Sequence, residues 1–557
     1  MSHSDPIKLN CDILSAVTNI VADEQRNGFR SIISAITRTC KRMHLEGTNY
    51  LLAGTVELLS EDIPSFCLFM LASPSVRLPF LKSLLLRLHD IENGIDHVGP
   101  FCEVLQGSSN LHTLDVAFSA NSPRAIVGQI AAVIPTLPSL RVLRVAEDGS
   151  VAGNTNADAY QIFDTALRKS RAPLVSLSLD LPDYDVDAGV GYSRRRDPLY
   201  LSSQHRTTLE RLELNGGLNL IVRPGRAYEY PRLRKLILPM YRTFMPYMKP
   251  FIVSAPHLRD IQFGGPYDSH TRHRHDEDIL RGLIVNATQT PQDCRATNQR
   301  DQEGSGHSWP MLDSFKGTVI GAYATGLACP VARVHLLSTG GRRATELAML
   351  SVVLSDWRPS FLRLATDIYR ARGYIPLLPS ASTGWGESLE TLELRLNIIE
   401  DRFDFEECFN HIAETLSTLP ATSLHLEFRC VNSRTQHDGE TRYPPVEPFE
   451  GDECGSHGVN GADAACHMQD ELWRHDLPQR VRECVRSALA LRRMTLAWGG
   501  CQTGGADRVI CVDLDNAEVN WTGGRSPTGS GKEGLRRCEG TDVQALLPVG
   551  EVTAALT

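Results

Sequence analysis

A phrase of the form Leu-x-x-Leu-x-Leu recurs along most of the chain, and no other feature restricts the possible folds as much. It reads Leu111-His-Thr-Leu114-Asp-Val116, Leu140-Arg-Val-Leu143-Arg-Val145, Leu174-Val-Ser-Leu177-Ser-Leu179, Leu209-Glu-Arg-Leu212-Glu-Leu214 and Leu233-Arg-Lys-Leu236-Ile-Leu238. It returns as Leu389-Glu-Thr-Leu392-Glu-Leu394 and Leu491-Arg-Arg-Met494-Thr-Leu496, with looser copies from Leu81 to Leu86, Leu258 to Phe263 and Ala421 to Leu426. In an extended chain alternate side chains share a face, so the second and third apolar residues of each phrase enter a core while their neighbours face water. One such unit is too small to bury its apolar face. Stacking units side by side does bury it, and the expectation is a solenoid whose exposed strand positions form a continuous recognition surface.

Helical periodicity fills the gaps between phrases. Ile126, Val127, Ile130, Ala131 and Ile134 precede the strand at Leu140; Phe405, Cys408, Phe409, Ile412, Leu416 and Leu419 precede the one at Ala421; Val481, Cys484, Val485 and Ala488 precede Leu491. Spacings of roughly 24 to 35 residues between phrases suit repeats that each contain a helix and a strand. The expected class is therefore α/β, with a parallel sheet lining a concave face and helices covering a convex one. Length alone would suggest about three or four ordinary domains, but a one-dimensional array can place residues 56–500 in a single elongated domain. Polar stretches near 267–306 and 436–464 read as long insertions, and 501–557 reads as a low-complexity, poorly ordered tail or a weak cap over the last repeat.

The net charge of -9 arises from 57 basic and 66 acidic residues spread along the chain. Without a basic stripe, capture of a nucleic-acid backbone is not expected. The 14 cysteines have no regular spacing and several sit in apolar runs, such as Phe66-Cys67-Leu68-Phe69, which suits small hydrophobes in a reducing compartment. No secretory leader or apolar run of membrane-spanning length is read, so the expectation is a soluble intracellular protein, cytoplasmic or nuclear.

The first fifty or so residues differ from the rest. Leu9, Ile13, Leu14, Val17, Ile20 and Val21 form one helical pattern, broken at Asn27-Gly28; Ile32, Ile33 and Ile36 begin a second, and Thr39-Cys40-Lys41-Arg42-Met43 leads into a third ending near Leu51-Leu52. The order Leu9-Asn10-Cys11-Asp12-Ile13-Leu14, an apolar second helix and Thr39-Cys40-Lys41-Arg42-Met43 resembles an F-box, with Asn10 where that family usually has Pro. Joined to the leucine phrases, the whole chain is similar to the F-box and leucine-rich-repeat proteins numerous in mushroom-forming fungi. The resemblance implies a small all-α three-helix module at 1–55 ahead of the solenoid. It further implies a substrate-recognition subunit of a Skp-cullin-F-box ubiquitin ligase, with a Skp-family adaptor, and cullin through it, as partners. Leu9, Ile13, Leu14, Ile33, Ile36 and Met43 are then the candidates for adaptor contact. The alternative is a leucine-rich-repeat scaffold without a ligase role, in which the same helices only cap the array.

Other constellations carry less. Gly529-Ser530-Gly531-Lys532 lacks the spacing of a phosphate loop, since Ser526 stands where a Gly is needed and Glu533 follows the Lys. His270, His273, His275, Asp276 and Asp278 read as a solvated loop, and Cys454, His457, Cys466 and His467 end in an adjacent pair ill suited to a closed zinc site. No nucleophile elbow, zinc-protease helix or dinucleotide fingerprint appears, so neither catalysis nor a cofactor is expected.

The functional expectation falls on the solvent-facing strand positions. Asp115, Arg144, Asp180, Arg211, Glu213, Lys235, Glu393 and Arg395 are the charged candidates for a target-binding surface, among neighbours that include Ser176, Ser178, Gln262, His425 and Glu427. Alternating signs with small polar groups suit an unknown protein target better than a lipid or a polyanion.

Overall fold

In the computed structural model the leucine phrases are short parallel strands. The structure describes residues 48–49, 51–88, 98–119, 122–148, 157–180, 199, 202–215, 228–238, 247–264, 290–338, 343–368, 378–379, 384–398, 405–430, 486, 490–499, 508–513, 518–522 and 536–538. The candidate adaptor residues Leu9, Ile13, Leu14, Ile33, Ile36 and Met43 lie outside them, as do both histidine and cysteine clusters, the glycine-rich Gly529–Lys532 segment and most of the pattern at 481–488. Contacts divide the chain into two units, Met1–Phe244 with Pro250–Leu258, and Met245–Lys249 with Arg259–Thr557.

In the first unit β1 (Thr55–Leu59), β2 (Ser83–Leu88), β3 (Thr113–Ser119), β4 (Val142–Asp148), β5 (Ser176–Asp180), β6 (Arg211–Asn215) and β7 (Lys235–Leu238) follow one another, each parallel to the next. The register aligns Leu84, Leu114, Leu143, Leu177, Leu212 and Leu236 in one row, all fully buried. Leu86, Val116, Val145, Leu179 and Leu214 form a second buried row two residues on. Each such side chain contributes roughly 1.5–3 kcal/mol by leaving water, and a slip of one residue would turn both rows outward.

Before many of the strands a single carbonyl accepts from two successive N–H groups of the next segment. Lys82 O accepts from His112 (2.8 Å) and Thr113 (3.1 Å), His112 O from Arg141 and Val142, and Arg141 O from Val175 and Ser176. The same device recurs in the second unit, where Glu390 O accepts from Thr422 and Ser423, and Thr422 O from Arg492 and Arg493. It satisfies backbone donors at the strand mouths and locks the register.

Helices form a layer beside the first sheet. In sequence they are α1 (Ile63–Leu71), α2 (Val98–Gly107), α3 (Arg124–Val133) and α4 (Ala157–Lys169), each packed on the next. The helical face read from sequence in α3, Ile126, Val127, Ile130 and Ala131, is buried. The stacked rings of Phe118 on β3 and Phe163 on α4, 6.0 Å apart, join sheet to helix. A short helix, α5 (Lys249–Ser254), follows β7.

The second unit repeats the arrangement with β8 (Asp260–Phe263), β9 (Leu312–Thr318), β10 (Val331–Ser338), β11 (Phe361–Ile368), β12 (Thr391–Ile398), β13 (Ser423–Cys430) and β14 (Arg493–Gly499), again parallel in chain order. Ile261, Phe315, Val334, Leu362, Leu392, Leu424 and Met494 make its buried row. Its helices include α6 (Pro291–Ser305), α7 (Val319–Thr325), α8 (Arg343–Trp357) and α9 (Phe405–Ser417). The face expected in α9 is buried, with Phe405 and Phe409 against Phe428 of β13 at 5.7 and 5.3 Å.

One segment differs from its expected form. Residues 291–305, read from sequence as part of a long loop, are helical because every end condition is met. Thr290 caps the N-terminus by accepting from the Asp293 N–H, the Asp293 side chain reaches back to the Thr290 N–H, Pro291 occupies the first turn, and Gly306 closes the helix at φ 64°. Beyond residue 499, where a poorly ordered tail or a cap was expected, β15 (Arg508–Asp513), β16 (Glu518–Thr522) and β17 (Arg536–Cys538) continue from β14 as antiparallel strands. Reversal of direction there ends the parallel series.

Candidate functional site

Opposite the leucine rows, each sheet presents the alternate residues of its strands. In the first unit Glu57, Leu85, Asp115, Arg144, Ser178, Glu213 and Ile237 share one row. Thr113, Val142, Ser176, Arg211 and Lys235 share the row before it. Asp115 and Arg144 form an ion pair at 3.9 Å, and Arg211 reaches Glu213 at 2.6 Å. Burial pushes the Asp115 carboxyl up from its ordinary range, with Arg144 and Arg87 opposing. Lys235 lies in register with Arg211, and Asp180 with Asn215.

In the second unit one row reads Gln262, Lys316, His335, Arg363, Glu393, His425 and Thr495 across β8 to β14. Another carries Leu337, Ala365, Arg395, Glu427 and Ala497. Arg363 meets Glu393 at 3.6 Å, while Glu427 accepts from Arg395 at 2.6 Å and from Arg429 at 2.5 Å. Burial alone would raise the Glu427 carboxyl, but the two guanidinium groups outweigh it and the group is held below its usual range.

Of the candidates read from sequence, Asp115, Arg144, Arg211, Glu213 and Lys235 thus gather on the first sheet, and Glu393 and Arg395 on the second. Ser178 and Glu427, expected to face solvent, are buried at 6% exposure each. Flanking side chains close over Glu427, and Ser178 is a short residue between longer neighbours. Sequence reading missed Lys316, Arg333, His335 and Arg363. They sit on β9 to β11, where the apolar frame is Leu312, Phe315, Val331, Val334, Leu336, Leu362 and Leu364, and the full leucine phrase is absent. The two-residue alternation in Val334-His335-Leu336 and Leu362-Arg363-Leu364 was the available signal.

His335 is the most perturbed group of this face. Burial first, then the cations Lys316, Arg363 and Arg333, push its imidazole down to about 4 from 6.5. Its ring lies 5.2 Å from that of Phe361. An imidazole neutral in the fold but protonated in the unfolded chain makes stability fall as pH drops from 6.5 towards 4, with no further loss from this group below that window. The expected loss is roughly 1–2 kcal/mol after allowance for partial solvent screening. Between pH 6.5 and 4 the denaturation midpoint of wild type should fall relative to that of His335→Gln, which has no proton to take up, and parallel curves would rule the assignment out.

Among the described residues this face offers charged and hydrogen-bonding groups. Burial pushes the thiols of Cys67, Cys294 and Cys329 up to about 11, so they are protonated at neutral pH and poor nucleophiles. Among the described residues no group of three or more His, Cys, Asp or Glu is placed to hold a metal ion. Among the same residues no single helix is long and apolar enough to cross a membrane. No protein-family model matches the chain, and no curated protein matches it significantly.

Proposed function

We propose that the chain is a leucine-rich-repeat receptor for a protein target, serving as the substrate-recognition subunit of a Skp-cullin-F-box ubiquitin ligase in the cytoplasm or nucleus. The observation that carries the receptor half is the ordered face of mixed charge on parallel strands whose opposite side is mostly apolar. Such a face offers many positioned hydrogen-bonding groups without a reactive centre, which suits selection of a macromolecular partner. Leucine rows in register, with one helix–strand unit following another, support the solenoid reading.

The ligase half rests on the resemblance of residues 1–55 to an F-box. A receptor of this kind raises the local concentration of target lysines beside a catalytic partner, so it needs no catalytic residue of its own. Leu9, Ile13, Leu14, Ile33, Ile36 and Met43 supply the apolar anchors for the adaptor. Co-purification of a Skp-family adaptor with the intact chain is expected, and it should be abolished by Leu14→Asp, by Ile13→Asp or by removal of residues 1–55, because apolar anchors dominate small helical interfaces. Adaptor recovery unchanged by all three would sink the ligase reading and leave a scaffold.

A further inference from the structure

We infer that the cations around His335 form a receptor site for a single phosphoryl group, carried as phosphoserine or phosphothreonine on the bound target segment. The inference deepens the reading of this face as a target receptor and depends on that reading.

Lys316, His335 and Arg363 occupy the same register position on the adjacent strands β9, β10 and β11, and Arg333 stands two residues before His335 on the same face. Adjacent strands lie about 4.8 Å apart and alternate residues about 7 Å apart along a strand, so three long cationic side chains root in a ring around one imidazole. All three act electrostatically on His335, as its depressed basicity records. Lys316 and Arg333 are exposed, and neither has a carboxylate partner among the described residues. Arg363 shares Glu393 only loosely at 3.6 Å, with its side chain 36% exposed. In a protein of net charge -9, this local cationic excess runs against the overall balance.

The arrangement selects a compact dianion over an extended acidic run. Glu393 lies one strand beyond Arg363, and Asp260, which accepts from the Ser314 hydroxyl at 2.5 Å, lies two strands before Arg333. These carboxylates would repel a polyanion crossing the strands, yet they lie to either side of the ring's centre. Phe361, Leu337 and Ala365 border the ring with half-buried apolar surface. A phosphoryl group presents about two negative charges and three strong acceptors. It would take the guanidinium forks of Arg333 and Arg363, the Lys316 ammonium and an imidazole N–H, and would relieve the repulsion among the cations.

The test uses the purified full chain without adaptor, probed with degenerate peptide pools built around a central phosphoserine or phosphothreonine. Matched pools carry the unmodified residue or glutamate. Retention of the phosphorylated pools at least tenfold above both controls is expected. Combined Lys316→Glu and Arg333→Glu should reduce it to background with an unchanged melting temperature, and Arg333→Gln alone, the milder change, should weaken it several-fold. Equal retention of all pools overturns the inference, as does full phosphopeptide binding by either variant, or capture of poly(U) RNA as tight as that of the peptides. Since no adaptor is present, failure here leaves adaptor co-purification untouched, and failure of the adaptor test leaves this result standing.

Discussion

Phe315→Ala should lower the stability of the second unit by about 3–5 kcal/mol, the range for emptying an aromatic site in a core. Phe315 is fully buried, its ring 5.7 Å from that of Phe263 and 4.7 Å from that of Trp357. Trp357 is itself held by its indole N–H, which donates to Leu327 O at 3.1 Å, so it cannot readily swing into the space left behind. Gly317 adds to the constraint, because even a methyl group there would lie 3.1 Å from the Phe315 ring. Phe315→Leu, which keeps most of the volume, should cost much less, roughly 1–2 kcal/mol. Chemical denaturation followed by circular dichroism measures both, and a loss below about 1 kcal/mol for the alanine variant would contradict this packing.

Asn298→Ala is expected to cost about 2–4 kcal/mol although the residue is polar and lies in a segment that reads as a loop, because two buried backbone groups lose their partner together. The Asn298 side chain accepts from the Met248 N–H at 2.9 Å and donates to Ala324 O at 3.0 Å. Beside it Gln302 donates to Gly326 O at 2.9 Å and accepts from the Ala328 N–H at 3.2 Å. The two amides clamp the end of α7, where Gly326 turns the chain at φ 55° and leaves no room for a side chain, a Cβ there lying 2.8 Å from Arg295 O. Asn298→Asp retains the acceptor, loses the donor and adds a buried charge, so it should not rescue. A melting temperature within a degree of wild type for Asn298→Ala would show that the clamp contributes nothing.

Sequence reading works where the leucine phrase is complete, as in β3, β4 and β12, because buried residues there alternate with polar ones. Phe315 stands on β9, which carries no such phrase, and its place in the buried row came from the structure. The same logic made α3 and α9 legible, since Ile126, Val127, Ile130, Phe405, Cys408 and Ile412 recur at helical spacing. Helix α6 escaped because, beyond Pro291 and Cys294 in its first turn, the face it buries is Arg295, Asn298 and Gln302, and a periodicity of polar residues does not announce burial. Its end signals, Thr290-Pro291 with Asp293 and then Gly306, were present without an apolar stripe to give them weight.

Part of the charged strand face was legible for the same reason. Asp115, Arg144, Arg211, Glu213, Glu393 and Arg395 fall at fixed offsets within leucine phrases, so their placement on the polar side followed from the period of two. That Glu427 is buried between Arg395 and Arg429, or that Lys316 and Arg333 flank His335 while Arg363 completes the ring, depends on which strands are neighbours and in what register. Local alternation is a property of consecutive residues, dictated by backbone geometry, and it is written in the chain itself. The grouping of charges across strands joins residues such as Arg395 and Glu427, 32 positions apart, through the backbone hydrogen bonds of neighbouring strands, and only the tertiary structure decided it.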